Sequence, residues 1–149
     1  MSIDPGSGSS MPGASSKARP KILVIDDDPS LLATLQSVLE DFGYEVVTAP
    51  EGSAGLAAYR STKPAVVLTD IIMPKTDGIE LIRQIRREDS KVGIIAMSGG
   101  SRTSNSDFVA IAQTLGADAG IYKPFDGDAI HAILVELLRH EYVVGAVGA

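Results

Sequence analysis

The chain has 149 residues, 44% of them hydrophobic, with neither Cys nor Trp, and 19 acidic against 13 basic side chains give a formal net charge of −6. The absence of Cys excludes a disulfide scaffold, cysteine-ligated zinc, iron–sulfur clusters and thiol chemistry, and the acid excess argues against a nucleic-acid surface, which needs clustered Lys and Arg. No run approaches the roughly 18 apolar residues that span a bilayer, and the first twenty residues lack the apolar stretch of a secretory signal, so one cytoplasmic domain without membrane contact is expected.

Residues 1–16 contain six Ser, three Gly and two Pro, the make-up of a flexible leader that buries too little apolar area to order itself. That leader is expected to reach residue 19, with Met11 as a candidate start. Residues 1–20 hold Lys17 and Arg19 against Asp4, a net +1, so the −6 of the whole becomes −7 for the rest. A single domain is expected over 20–141, followed by a short apolar tail at 142–149.

The first strand is expected at Ile22–Ile25. Asp28-Pro29 then offers an N-cap and a proline at the first helical position. Leu31, Leu32, Leu35, Val38, Leu39 and Phe42 follow at helical spacing, and Gly43 stands where a left-handed C-cap is wanted. A strand at Tyr44–Thr48 leads to an Ala- and Gly-rich helix over 51–62, and a strand at Ala65–Thr69 to a helix carrying Leu81, Ile82 and Ile85. A strand at Val92–Met97 precedes the helical run Phe108, Ile111, Ala112 and Leu115, closed by Gly116. The last unit pairs Ala119–Tyr122 with a helix capped by Asp126, which carries Ile130, Ile133, Leu134, Leu137 and Leu138 and ends near His140. Three strands are apolar without alternation, as strands covered on both faces should be. Five β–α units therefore predict an α/β fold, a doubly wound parallel sheet of five strands with helices on both faces. Arg83, Arg86, Arg87 and Lys91 read as solvated helix faces, and His131 and His140 as surface residues of the last helix.

Such sheets bind ligands beyond the carboxyl ends of their strands. The first strand ends in Asp26-Asp27-Asp28, the third in Asp70, the fourth in Ser98-Gly-Gly and the fifth in Lys123-Pro124. Carboxylates gathered there repel one another and call for a cation. Oxygen ligands with no His or Cys beside them favour a hard ion such as Mg2+, which commonly bridges carboxylate to phosphate. Lys123 and Ser98 would face the anion, and Asp70, alone on the central strand, is the candidate nucleophile, since Asp can form an acyl phosphate.

Four segments in order, KILVIDDDPSLL, VVLTDIIMPKTDGIEL, IIAMSGG and GADAGIYKPF, each closing a predicted strand, resemble the receiver domain of two-component response regulators over about Pro20–Arg139. The resemblance is to the single-domain, chemotaxis-regulator-like type. It implies a flavodoxin-like (βα)5 fold with strand order 2-1-3-4-5. It further implies that Asp70 accepts a phosphoryl group from a histidine kinase or histidine phosphotransfer protein. Asp27, Asp70 and the backbone carbonyl of Ile72 would bind Mg2+, with Asp26 acting through a water. Ser98 would be the switch hydroxyl, Lys123 would pair with the phosphate, and Lys123-Pro124 would be a cis peptide. The output would be a contact with a downstream protein, a homodimer through the last two helices and strand being one form of it, with no activity beyond self-phosphorylation and self-dephosphorylation.

The pattern departs from the family at particular positions. Where receivers commonly carry an aromatic residue three positions before the lysine, this chain has Gly120, so the output is expected in movement of the 98–107 segment and the helix after it. Ile72, two past Asp70, would hinder an attacking water, whereas Gly99 and Gly100 would open access. Two alternatives stand beside the main reading. One is a magnesium-dependent phosphohydrolase with an aspartyl nucleophile, which wants a second acid two residues on, where Ile72 stands. The other is a receiver-shaped module that works without phosphorylation.

Overall fold

The computed structural model describes residues 19–73, 76–99 and 108–148. Most of the expected leader and residues 100–107 of the expected mobile segment lie outside the described residues.

Five parallel strands, β1 (Lys21–Ile25), β2 (Glu45–Ala49), β3 (Val66–Asp70), β4 (Gly93–Ser98) and β5 (Ala119–Tyr122), form one sheet in the order β2-β1-β3-β4-β5. This is the expected order 2-1-3-4-5. It places β1 and β3 at the centre, where β3 is buried at every position and β1 at all but its first. That burial explains why their sequences do not alternate: residues facing either way meet a layer of helices. The edge strands β2 and β5 are only half-buried along most of their length.

The helices are α1 (Pro29–Asp41), α2 (Gly52–Thr62), α3 (Gly78–Glu88), α4 (Phe108–Thr114) and α5 (Gly127–Gly148). Two apolar clusters hold them to the sheet. On one face Leu23, Ile25, Val67, Ile94 and Ala96 meet Tyr59 of α2, Leu81, Ile82 and Ile85 of α3 and Ala112 of α4. On the other Ile22, Val24, Val66, Leu68, Ile95 and Met97 meet Leu35 and Leu39 of α1 and Ile130 and Leu134 of α5. Each fully buried Leu or Ile contributes about 1.5–3 kcal/mol through the apolar area withdrawn from water.

Local chemistry sets the helix ends. The Asp28 carboxylate accepts from the amides of Ser30 and Leu31, and Pro29 follows it at the start of α1. Asp126 accepts from the Ala129 amide at 2.9 Å. Gly43 and Gly116 adopt φ of +103° and +134°, the conformation expected after α1 and α4. The Ala-rich α2 forms because Glu51 caps it, accepting from Ser53 and Ala54 amides. A two-residue antiparallel pairing, Ile72–Met73 with Thr76–Asp77, follows β3 and was not expected.

Three expectations are corrected. The last helix continues to Gly148, through most of the stretch read as a tail; no proline interrupts it, and extending an existing helix adds a hydrogen bond per residue. Arg86 is not a solvated residue: its guanidinium donates to the carbonyls of Gly116, Asp89 and Val92 and pairs with Asp118 at 3.1 Å. His131 is not a bare surface residue either. Its ring stacks on Phe42 with centroids 3.9 Å apart, and its Nδ1 lies 3.1 Å from the Tyr44 hydroxyl, tying α5 to the end of α1.

Candidate functional site

The carboxyl ends of β1 and β3 are adjacent because these two strands pair in register, Ile25 against Thr69. The residues that follow, Asp26 and Asp70, therefore emerge side by side. Carboxylate oxygens of Asp26, Asp27 and Asp70 lie within 4.8 Å of one another. Asp26 is 0% exposed and Asp70 4%, whereas Asp27 is exposed, so the cluster is walled on one side and open to solvent on the other.

The two buried acids are held differently. Asp26 is satisfied at both oxygens, Oδ1 by the Asp28 amide at 2.9 Å and Oδ2 by the Lys123 ammonium at 2.6 Å. Among the described residues, the contacts of Asp70 are long ones, from the Ile72 amide at 3.5 Å to Oδ1 and from Lys123 Nζ at 3.6 Å to Oδ2. Burial pushes the Asp70 carboxyl up to about 6; Lys123 opposes this, Asp26 adds to it, the Ile72 amide opposes it and Asp27 adds again. Asp70 is thus a carboxylate whose negative charge is poorly compensated by the protein alone.

β4 and β5 complete the edge. Ser98 is buried at the end of β4 and its carbonyl accepts from the Lys123 amide at 2.8 Å, which sets the lysine beside the acids as the chain leaves β5. The Lys123–Pro124 peptide is cis. Ile72, 52% exposed, stands at the rim. Asp26, Asp27, Asp70, Ser98 and Lys123 are therefore at one edge of the sheet, with Asp28 set apart as a helix cap, and Gly100 lies outside the described residues. The donor set suits a hard divalent cation: three carboxylates, no His or Cys among them, and one exposed member leaving room for water. Gly78, the first residue of α3, was missed by sequence reasoning. A Cβ there would overlap the carbonyl oxygen of Asp70 and the Ile71 Cα, so its lack of a side chain lets α3 begin against the end of β3.

Surface depressions of about 310 and 240 Å3 lie at the opposite ends of the strands, around Pro64 and Asp89, and neither touches the carboxylates. Among the described residues no helix is long and apolar enough to cross a membrane.

Comparison with known proteins gives a consistent result. The family described as response regulator receiver domain matches residues 22–135. The alkaline phosphatase synthesis transcriptional regulatory protein PhoP of Bacillus subtilis is 34% identical over 123 residues, covering 83% of this chain and 50% of that protein. The transcriptional regulatory protein PrrA of Mycobacterium tuberculosis is 36% identical over 120 residues, 80% of this chain and 50% of its own length. The chain thus spans about half the length of the curated relatives it matches. Among solved structures, a response regulator receiver domain protein from Clostridium thermocellum superposes with a TM-score of 0.77 at 28% identity, covering 84% of this chain and 98% of the other. A CheY-like receiver domain protein from Methanospirillum hungatei gives 0.74 at 30% identity, with 84% and 98% covered.

Proposed function

The chain belongs to the response regulator receiver domain family, and from that premise we propose that Asp70 is its phosphoacceptor, taking a phosphoryl group from a phosphohistidine on a histidine kinase or phosphotransfer protein. An Asp70 oxygen attacks phosphorus, the new O–P bond forms as the P–N bond to the imidazole breaks, and the ring nitrogen leaves with the electron pair. Asp27, Asp70 and the Ile72 carbonyl, with Asp26 through a water, would hold Mg2+, which when bound supplies positive charge to the transferring oxygens. Lys123 then gains a phosphoryl partner in place of a bare carboxylate, and Ser98 donates its hydroxyl to the new oxygens.

One observation carries this reading: a buried, weakly compensated carboxylate at the end of the central strand, flanked by two further acids and an ammonium within 3.6 Å. Phosphorylation adds about −1.5 to −2 charge units and three acceptor oxygens at that point. The ensuing rearrangement of Ser98 and its neighbours changes the surface offered to a downstream target, which is the output. The phosphohydrolase alternative gains no support, because Ile72 offers no acid at the position two past Asp70.

The test is labelling by a small phosphodonor such as acetyl phosphate. Wild-type protein should take up an acid-stable, base-labile phosphoryl group only when Mg2+ is present, and Asp70→Asn should take up none. Label that persists in Asp70→Asn would overturn the assignment, and steady turnover of phosphate esters would favour the hydrolase. A target affinity unmoved by both phosphorylation and Asp70→Ala would favour a phosphorylation-independent module.

A further inference from the structure

Asp26, Asp27 and Asp28 alone join β1 to α1, and the hydrogen bonds of this link step forward two positions at a time. The Asp28 amide donates to Asp26 Oδ1 at 2.9 Å, and the Ser30 amide donates to Asp28 Oδ1, also at 2.9 Å. Asp28 therefore belongs to both bonds, its backbone as donor in one and its side chain as acceptor in the other. The start of the link is anchored too, because the Asp26 amide donates to the Ala49 carbonyl at 3.2 Å. Two further constraints fix the backbone of Asp28. Pro29 keeps the residue before it out of the helical region, and Asp28 has the extended φ of −94° and ψ of 107°. Its carbonyl accepts the first bond of α1, from the Leu32 amide at 3.1 Å.

We propose that Asp28 is a positioning residue for the acidic edge. By capping α1 it aims its own amide at Asp26, and so holds that carboxylate in the orientation from which its second oxygen reaches the site. This rests on the reading of the acidic edge as a Mg2+ site given above, with Asp26 acting through a water. A carboxyl group is planar, so a donor fixed on Oδ1 sets the direction of Oδ2, which the Lys123 ammonium meets at 2.6 Å. Asp26 is 0% exposed, so bulk water does not make good an amide that swings away. Asp28 itself is exposed, and solvent screens its charge. What it supplies to the site is the direction of an amide. Hydrogen-bond partners of this kind commonly change metal affinity tenfold or more when they are lost. The first turn of α1 and the metal-facing acid are in this way one mechanical unit.

The experiment measures Mg2+ affinity by calorimetry, beside melting curves in metal-free buffer, for wild type and three variants. Asp28→Ala removes the cap and should weaken Mg2+ binding about fivefold or more. Loss of a single exposed cap leaves the fold intact, which the melting curve verifies. Asp28→Asn caps as well as the acid but carries no charge, and should stay within about twofold of wild type. Arg86→Ala, at the far end of the strands, should lower the melting temperature and leave Mg2+ affinity unchanged. Wild-type affinity in Asp28→Ala overturns the proposal. So does an equal loss in Asp28→Asn, which would assign the effect to charge, or an equal loss in Arg86→Ala, which would assign it to stability. Wild-type protein that binds no Mg2+ overturns the reading of the edge as a metal site instead.

Discussion

Lys123 is paired with Asp26: its Nζ lies 2.6 Å from Asp26 Oδ2 and a full ångström farther, 3.6 Å, from Asp70 Oδ2. In the absence of a cation the ammonium therefore sits closest to a carboxylate proposed to face the metal, and its more distant charge only partly offsets the burial that raises Asp70.

Removing that ammonium should help a divalent cation bind. Lys123→Met is expected to tighten Mg2+ binding by about threefold to tenfold, because the cation no longer competes with a tethered charge for Asp26. The same variant should take up acetyl phosphate label more slowly, having lost the group that meets the phosphoryl oxygens. Calorimetric titration with MgCl2 checks the first effect, and an unchanged or weaker affinity contradicts it.

The raised Asp70 carboxyl makes stability depend on pH in a definite direction. Its folded value of about 6 lies above the unfolded value of an aspartate, so the folded state binds the proton more tightly. Stability contributed by protonated Asp70 is present at low pH and is lost as pH rises from about 4 through 6. In metal-free buffer Asp70→Asn should become progressively more stable than wild type across that window, by roughly 2–3 kcal/mol above it. Mg2+ at pH 7 should raise the melting temperature of wild type and have little effect on the variant. Melting curves at a series of pH values decide this, and parallel curves for the two proteins would refute it.

Arg86 closes the end of the molecule opposite the site. Arg86→Ala leaves the carbonyls of Gly116 and Val92 without their donor and Asp118 without its cation, and should cost about 2–4 kcal/mol. Arg86→Lys should recover little, since one ammonium lacks the planar fork that reaches several carbonyls at once. Urea denaturation monitored by circular dichroism measures both.

Gly78→Ala should be damaging for a different reason. The added methyl meets backbone of Asp70 and Ile71, which cannot rotate away as a side chain tip can. A stability loss of about 1–3 kcal/mol is expected from overpacking, together with slower labelling of Asp70 as the end of β3 is pushed aside. Wild-type labelling kinetics in a protein so destabilised would show that the close approach does not position Asp70.

How much was legible beforehand follows from where each signal resides. The uninterrupted apolar runs of β1 and β3 announced strands covered on both faces, and the Asp28-Pro29 and Gly43 punctuation bounded α1, because these are properties of neighbouring residues. The acids, Ser98 and Lys123 could be assembled in advance since each closes a strand, and a parallel sheet brings all strand ends to one edge. Arg86 and His131 were misread as solvated for the complementary reason. Nothing beside them in the chain marks partners thirty and eighty-seven positions away, Gly116 and Tyr44.

The sequence alone determined the fold class, the strand order through its family pattern, and the membership of the acidic edge, all of which rest on local pattern and chain order. Only the tertiary structure decided which acid Lys123 sits closest to, and that Asp70 is the poorly compensated one. Those are matters of distance between segments far apart in the chain, and ångström differences in packing govern charge compensation in ways that spacing along a sequence does not encode.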